Sequence, residues 1–396
     1  MNYILFDNEA WNDLRPLTFT RPVAEIRVGI LTIREKWEKR LNASFGFLTQ
    51  KYLSVKYQKV VEDENVMING SILPNSDLIS AIQNLKLGEY LAKENLIIAA
   101  KLSDTDVNLV KEEAISEKIK IEYNKEIVRI AMPYDIFGLN DFALREDFEF
   151  LTKGRSSQVL SDTVNVLGKE NIFLEEGASV EFATLNAKEG PIYIGKDAEI
   201  MEGSLVRGPL AMCEHSALKL GAKVYGATTL GPYCKSGGEL SNVVFFGYAN
   251  KAHDGFLGNA VIGEWCNIGA DTNNSNLKNN YSEVKLWNYK SNRFNKTGLQ
   301  FCGTIMGDHS KCGINTMLNT GTVIGVSANV YGAGFPRNFI PSFSMGGNHG
   351  FQEYRLKAAH EVAQLVMQRR GIEFDEAEKD IMTNVFEMTK DFRKSF

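Results

Sequence analysis

Six residues separate each member of Met306, Cys312, Leu318, Ile324 and Val330, and the same interval joins Ile194, Ile200, Val206, Met212 and Leu218. A period of two alternates faces in a strand and a period near 3.6 makes a stripe on a helix, whereas a strict six repeats a whole supersecondary unit. The spacing predicts a parallel β-helix whose coils have three sides, each a short strand with one apolar residue pointing inward. Small residues follow the anchors, as in Ile194-Gly195, Ile262-Gly263, Ile268-Gly269 and Ile324-Gly325, so a tight corner is expected beside each strand. Leu174 and Val180 before the first run, and Phe256, Ile262 and Ile268 between the runs, keep the same interval. A β-sandwich with chance spacing is the alternative, and two unbroken runs of five anchors argue against it.

The chain of 396 residues is long enough for two or three domains. Its net charge of −5 and pI near 5.7 give no basic footprint, so nucleic acid is not expected as a partner. The N-terminus, MNYILFDNEAW, lacks a basic segment leading into an apolar one, and no run of about 18 apolar residues occurs, which predicts a cytoplasmic protein with no membrane partner. The five cysteines (Cys213, Cys234, Cys266, Cys302, Cys312) form no CxxC pair and no zinc spacing, so they read as small core residues.

Residues 1–150 alternate strand-like runs (Tyr3–Phe6, Val66–Asn69, Leu96–Ala100, Ile127–Ala131) with helical patterns (Gly29–Leu41, Leu78–Leu85), as an α/β domain does. A polar linker with Gly154, Ser156 and Ser157 is expected at 151–165, the β-helix at 166–348, and C-terminal helices at 349–396 broken near Gly371. Between Asp271 and Gly303 the register lapses in an insert rich in Asn and Lys. Insertions in a solenoid fall on one face, often the binding face, although Asn-rich excursions also serve simply as solvated turns.

The segment Lys251-Ala252-His253-Asp254-Gly255-Phe256-Leu257-Gly258-Asn259-Ala260-Val261-Ile262-Gly263, followed by Asn267-Ile268-Gly269-Ala270, resembles the acetyltransferase half of the bifunctional GlmU family. That family carries uridylyl transfer to N-acetylglucosamine-1-phosphate and acetylation of glucosamine-1-phosphate. The resemblance implies a left-handed β-helix, with His253 as general base. The segment Leu14-Arg15-Pro16-Leu17-Thr18-Phe19-Thr20-Arg21-Pro22 is similar to the first strand-turn of sugar-1-phosphate nucleotidyltransferases, and the order of the two parts agrees as well. The first domain is short for that family.

Acetyl transfer to an amine needs a base for the proton and donors for the oxyanion. A histidine, with an unperturbed pKa of about 6.5, suits the first task; backbone N–H groups at coil corners would suit the second. The resemblance further implies substrate contacts at Asn267 and Asn276, acetyl-CoA contacts at Ala270 and Gly332, a groove between β-helices for the pantetheine arm, and a homotrimer. Either asparagine also serves plainly as a turn cap. Phe256 stands where the family has a tyrosine and Ser241 where it has a phosphate-binding lysine, so Arg207 with Lys251, Lys278 or Lys285 is expected to supply the lost positive charge.

Nucleotidyl transfer needs a Gly-rich loop, basic residues and an acidic Mg²⁺ ligand. The loop position is occupied by Glu9-Ala10-Trp11-Asn12-Asp13, which has no glycine and ends in an acid. Arg15, Thr18 and Arg21, with Arg27, remain as nucleotide or phosphate contacts. The metal ligands are not identified, with Asp7, Glu9, Asp13 and Glu25 available; arginines and acids in a loop are as readily solvated or paired with each other. The expected partners are a small-molecule sugar phosphate and a nucleotide. The chain reads as an enzyme of amino-sugar nucleotide biosynthesis acting through acetyl-CoA, with nucleotidyl transfer and Mg²⁺ on the first domain; the alternative is a catalytically degenerate sugar-nucleotide-binding regulator or scaffold.

Overall fold

The computed structural model describes residues 1–111 and 113–394, so the last two residues of the expected C-terminal helical segment lie outside the described residues. The chain divides into two compact units, one of residues 1–14, 20–26 and 31–132, the other of residues 15–19, 27–30 and 133–396.

The first unit is an α/β layer around a six-stranded sheet. Its strands are β1 (Asn2–Phe6), β2 (Phe45–Leu48), β3 (Glu64–Asn69), β4 (Glu89–Lys93), β5 (Leu96–Ser103) and β6 (Ile119–Glu122), in spatial order β2-β1-β3-β5-β4-β6. β1 lies parallel between β2 and β3, whereas β5 runs antiparallel to both its neighbours. One side of the sheet buries Ile4, Phe6, Met67, Tyr90, Ala100 and Leu102. The helices are α1 (Ala10–Asp13), α2 (Ile33–Leu41) and α3 (Ser76–Gln83). α2 starts at Thr32 because its hydroxyl accepts from the Glu35 N–H while the Glu35 carboxylate accepts from the Thr32 N–H, so two orphan donors are satisfied at once. The helical pattern therefore begins at Ile33 rather than Gly29. The expected strand Ile127–Ala131 is not one. Its backbone is held by the Leu73 N–H on the Val128 carbonyl and by its own Ile130 N–H on Ser71, too few contacts for a ladder.

The second unit is a left-handed parallel β-helix of about ten coils with helices packed on it. Successive anchors fall on successive faces. Met306, Cys312 and Leu318 point inward from the second, third and first faces, and Ile324 begins the next coil beneath Met306. All are buried. The beat has two short steps, Leu240 to Phe245 and Leu257 to Ile262, where one residue, Asn242 or Asn259, turns the corner alone in the left-handed region at φ 57° or 46°. Leu257 is therefore the inward residue of its strand, and Phe256, which keeps the arithmetic six from Ile262, is not.

The glycines after the anchors serve a different purpose from the one expected. Gly325 does not have positive φ; a Cβ there would lie 2.2 Å from the Ser342 nitrogen on the next coil. The left-handed corner residue comes two places later, and on the edge between second and third faces it is often aromatic. His215, Tyr233, Tyr248 and Trp265 stack on consecutive coils at 4.6, 5.1 and 4.2 Å. The five cysteines are free and buried, and Cys234, Cys266 and Cys312 belong to the core of the helix.

Ahead of the coils in sequence, α4 (Pro133–Gly138) and α5 (Asn140–Thr152) pack on middle coils, α4 on the strands Glu239–Phe245 and Phe256–Ile262 and α5 on Thr228–Leu230, and α5 pins residues 27–30 to them. The Asn140 amide oxygen accepts from the Gly29 N–H at 2.7 Å, and its nitrogen donates to the Ala227 carbonyl at 2.9 Å. At the C-terminal end come α6 (Leu356–Gln368), α7 (Glu376–Met388) and α8 (Lys390–Arg393), with Gly371 at φ 71° ending the α6 segment. The insert at 275–303 folds as an antiparallel hairpin, Lys285–Asn288 with Arg293–Lys296. Among the described residues no helix is long and apolar enough to cross a membrane.

Candidate functional site

The corner that carries His253 is defined by its inward anchor. Lys251 occupies a core slot on the third face, beside Ser236 of the preceding coil, and is only 1% exposed. Its Nζ donates to the carbonyls of His253 at 2.7 Å and Asp254 at 3.1 Å. Burial pushes its pKa down to about 8 against the opposing pull of Asp254 and Asp271. This lysine, expected to touch substrate, spends its ammonium on the main chain of the corner.

His253 stands two residues past its anchor and is exposed, with no hydrogen bond to its imidazole among the described residues. The position two past the anchor recurs on each coil. Ala270 follows Ile268, Ile314 follows Cys312 and Gly332 follows Val330, and strand register places these anchors directly under one another. His253, Ala270, Ile314 and Gly332 thus form one column on the edge between third and first faces, about 4.8 Å apart per coil. The corners are stitched together by the Asp271 N–H on the Asp254 carbonyl at 3.0 Å and the Asn315 N–H on Ala270 at 2.8 Å. Of the corner amides expected as oxyanion donors, those of Gly269 and Asp271 are already committed to neighbouring coils.

The strand Phe256–Gly258 leaves this corner along the first face and is held by asparagines of the next coil. Asn273 accepts from the Phe256 N–H at 2.7 Å, and Asn274 brackets Gly258, accepting from its N–H at 2.8 Å and donating to its carbonyl at 2.9 Å. Sequence reading took these residues for part of the insert. A signal was present, because Asn274 stands six after Ile268 in an inward slot. Asn276 sits at the far end of the same strand, its amide donating to Asn259 at 2.8 Å. Asn267 projects from the third face between Asn250 and Lys311, one coil on from His253. Arg207 is not brought to this site. It lies three strand steps up the first face, about 14 Å by strand spacing, exposed and 3.6 Å from Glu189.

The nucleotide candidates divide between the units. Arg15 and Thr18 belong to the second, where the Arg15 guanidinium lies over Phe19 and Tyr289 at 5.8 and 5.7 Å. Thr18 is fully buried. Arg27 is also built into the β-helix unit, donating to the Ile30 carbonyl and, at 3.1 Å, to that of Phe246. Arg21 belongs to the first unit and is buried.

In the first unit the segment aligned with the phosphate loop is the short helix α1, with Ala10 and Trp11 buried and Asp13 in its first turn. Asp7, at the end of β1, accepts from the Val23 N–H at 2.8 Å and from the Thr49 hydroxyl at 2.5 Å. Burial raises its pKa to about 6. Glu25 is engaged by Arg34 at 2.5 Å. Among the described residues no three His, Cys, Asp or Glu side chains gather as a metal site, so the donors do not fit a protein-built Mg²⁺ cage.

Residues 3–156 match the sugar nucleotidyl transferase family. The bifunctional sugar-1-phosphate nucleotidylyltransferase/acetyltransferase of Sulfurisphaera tokodaii is 30% identical over 264 residues, 65% of this chain and 59% of that protein. The bifunctional protein GlmU of Methanocaldococcus jannaschii is 27% identical over 304 residues, 70% of this chain and 65% of that protein. The chain thus spans about three fifths of the length of these relatives. Among solved structures, a UDP-N-acetylglucosamine acyltransferase from Francisella novicida aligns with 60% of this chain and 84% of its own at TM-score 0.30 and 10% identity, too low to bear on the assignment. Residues 3–156 thus resemble a sugar nucleotidyl transferase domain, and about two thirds of the chain is similar to bifunctional nucleotidylyltransferase/acetyltransferases.

Proposed function

We propose that the β-helix unit transfers the acetyl group of acetyl-CoA to the amine of an amino-sugar phosphate, with His253 as general base. The observation that carries this reading is the column His253, Ala270, Ile314, Gly332. It sets an exposed imidazole next to three successive corners that offer small or apolar surface along which an extended acyl-pantetheine arm can lie. His253 takes the proton as nitrogen attacks the thioester, the C–S bond breaks, and the thiolate leaves protonated as CoA. Asn267 and Asn276 flank the acceptor on either side of the corner.

The same edge supports assembly as a homotrimer. Phe182 and Leu220 occupy the equivalent corner position on earlier coils, and with Ile314 they are 65%, 67% and 70% exposed. The edge is a mixed one, with Glu202, Gly238, His253 and Ala270 at the corners between these three, and its exposed apolar corners favour contact with another surface. Packed against a second copy it becomes the wall of a groove, and cyclic closure repeats the groove three times.

The first unit is assigned nucleotidyl transfer from a nucleoside triphosphate to a sugar-1-phosphate, with Mg²⁺ held chiefly by the substrate phosphates. Together the two steps form a route to a nucleotide sugar such as UDP-N-acetylglucosamine. A second reading, a binding domain that has lost catalysis, is favoured by one observation. Helix α1 closes the backbone where a phosphate loop would open it.

Purified protein given acetyl-CoA and glucosamine-1-phosphate is expected to release free thiol, and His253→Ala to abolish the release while leaving thermal stability within about 0.5 kcal/mol, as for an exposed side chain without partners. No turnover with any of a panel of amino-sugar phosphates would sink the acetyltransferase. Pyrophosphate release from UTP and a sugar-1-phosphate decides between catalysis and binding for the first unit.

A further inference from the structure

One cleft in the second unit lies away from the His253 column, on the edge between first and second faces where the insert leaves the coils. It has a volume of about 1350 Å³. Three elements build it. The hairpin contributes Lys285, Trp287, Asn292 and Phe294, the coils Thr320 and Arg337–Phe339, and the C-terminal helices Met388, Asp391 and Phe392, with Lys278 at the root of the insert.

Its lining has two parts. One is aromatic, with Trp287 stacked on Phe339 at 4.2 Å and 11°, and Phe294 edge-on to Trp287 at 5.3 Å. These rings are rigid, with few torsions to freeze on binding a flat partner. The other part is cationic. Lys278, Lys285 and Arg337 line it with one carboxylate, Asp391, which is paired with Lys394 at 2.6 Å, while Glu283 lies near Lys278. Lys285 makes no ion pair among the described residues and is exposed, and Lys278 gives one hydrogen bond, to the Glu283 carbonyl at 3.0 Å, out of the three its ammonium can make.

Flat π surface beside unspent positive charge is complementary to an aromatic base joined to phosphates, because stacking takes the one and charge-assisted hydrogen bonds the other. A purely apolar ligand would leave Lys285 without a counter-charge, and inorganic phosphate would leave the rings uncovered. The volume exceeds the roughly 300–1,000 Å³ of sites for drug-sized ligands, so a nucleoside carrying two phosphates fits.

We propose that this cleft is a binding site for a nucleoside bisphosphate or diphosphate, separate from the His253 edge. Such a group has two sources, a free nucleotide and the nucleotide end of an acyl-CoA; the second source rests on the acetyl-transfer reading above and the first does not.

The test uses the full chain and two probes, UDP and adenosine 3′,5′-bisphosphate, each titrated by calorimetry at low salt. Saturable binding of either is expected to weaken about tenfold or more in Lys285→Glu and in Arg337→Glu, as loss of one charge-assisted contact implies, and Trp287→Leu is expected to weaken it as well. Both basic side chains are exposed, so these variants fold. Arg21→Ala, in the first unit, is expected to leave the cleft's binding unchanged, which separates it from nucleotide bound there. UDP binding assigns the free nucleotide, and bisphosphate binding assigns the acyl-CoA end. Neither probe binding, or binding indifferent to Lys285→Glu and Arg337→Glu, overturns the proposal, while His253→Ala thiol release tests the acetyl-transfer reading independently.

Discussion

Lys251→Met is the substitution that most directly tests how the His253 corner is built. The lysine is 1% exposed and its pKa falls from 10.5 to about 8 because burial opposes its charge. Between those two values the unfolded chain holds a proton that the folded chain does not, so stability rises with pH across that window. A shift of about 2.5 units at 1.36 kcal/mol each withholds about 3 kcal/mol from the fold below pH 8, an upper figure because the head group meets polar atoms. Methionine fills similar space and carries no charge. It escapes this penalty but leaves the carbonyls of His253 and Asp254 without their donor, a loss of about 1–3 kcal/mol. At neutral pH these effects nearly offset one another. The pH dependence does not cancel, since only the wild type titrates. Guanidinium unfolding followed by far-UV circular dichroism, which the β-helix dominates, should show the wild type gaining on Lys251→Met by about 2–3 kcal/mol from pH 7.5 to 10. A difference flat across that range would refute a buried ammonium at this position. Above its pKa the neutral amine still has two N–H groups for the two carbonyls, so the corner persists in the wild type.

Asp7 behaves with the opposite sign. Its folded pKa is raised from 3.8 to about 6, so its contribution is fully present below pH 3.8 and is lost as pH rises through 6. Asp7→Asn, which keeps an acceptor for the Val23 N–H, should be the more stable protein at pH 7.5 by up to about 3 kcal/mol, with the gap closing by pH 4; equal stability at both pH values would contradict this. Gly325→Ala places a Cβ against main-chain atoms of the next coil and should cost about 3 kcal/mol or more in thermal unfolding. Gly138→Ala, where a Cβ meets nothing within 4 Å, is the control and should stay within about 0.5 kcal/mol.

The β-helix was legible because its core is one-dimensional: each anchor needs only the coil above and below, so periodicity along the chain is periodicity in space. Reading failed where a single residue changed the step. Asn259 in the left-handed region shortens one corner, and the arithmetic then selects Phe256 in place of Leu257. Glycines after the anchors were visible, but not their reason, which is contact with the next coil, 17 residues on at Gly195 and Gly325 and 44–45 residues on, across the insert, at Gly269 and Gly263. In the first unit β2, β4 and β6 went unread. They are short, and β6 has no buried residue to give it an alternating pattern. The aromatic ladder from His215 to Trp265 follows the coil spacing of 18, 15 and 17 residues, too uneven to register as a repeat.

The site was less legible because its residues are chosen by what the solenoid leaves over. Inward slots are normally apolar, yet the coil of Lys251 and the next coil of Asn274 fill two of them with groups that bind main chain. A regular core would hold any corner equally well, so polar atoms in these slots do something packing does not. They fix the backbone of residues 253–258 from inside the coil, and the His253 imidazole stays exposed with no hydrogen bond among the described residues. Sequence reading assigned Lys251 outward, to a phosphate, because a lysine beside a histidine in a solvent-facing motif suggests charge for a ligand. Its place in the beat, six after Phe245 and six before Leu257, marks it instead as core. On the proposed acetyl-transfer reading, the counter-charge for an anionic acceptor therefore does not come from Lys251. Arg207 is three strand steps away and Lys278 and Lys285 line the cleft on the other edge of the face, so within that reading the second copy proposed along the Ile314 edge is the place for it.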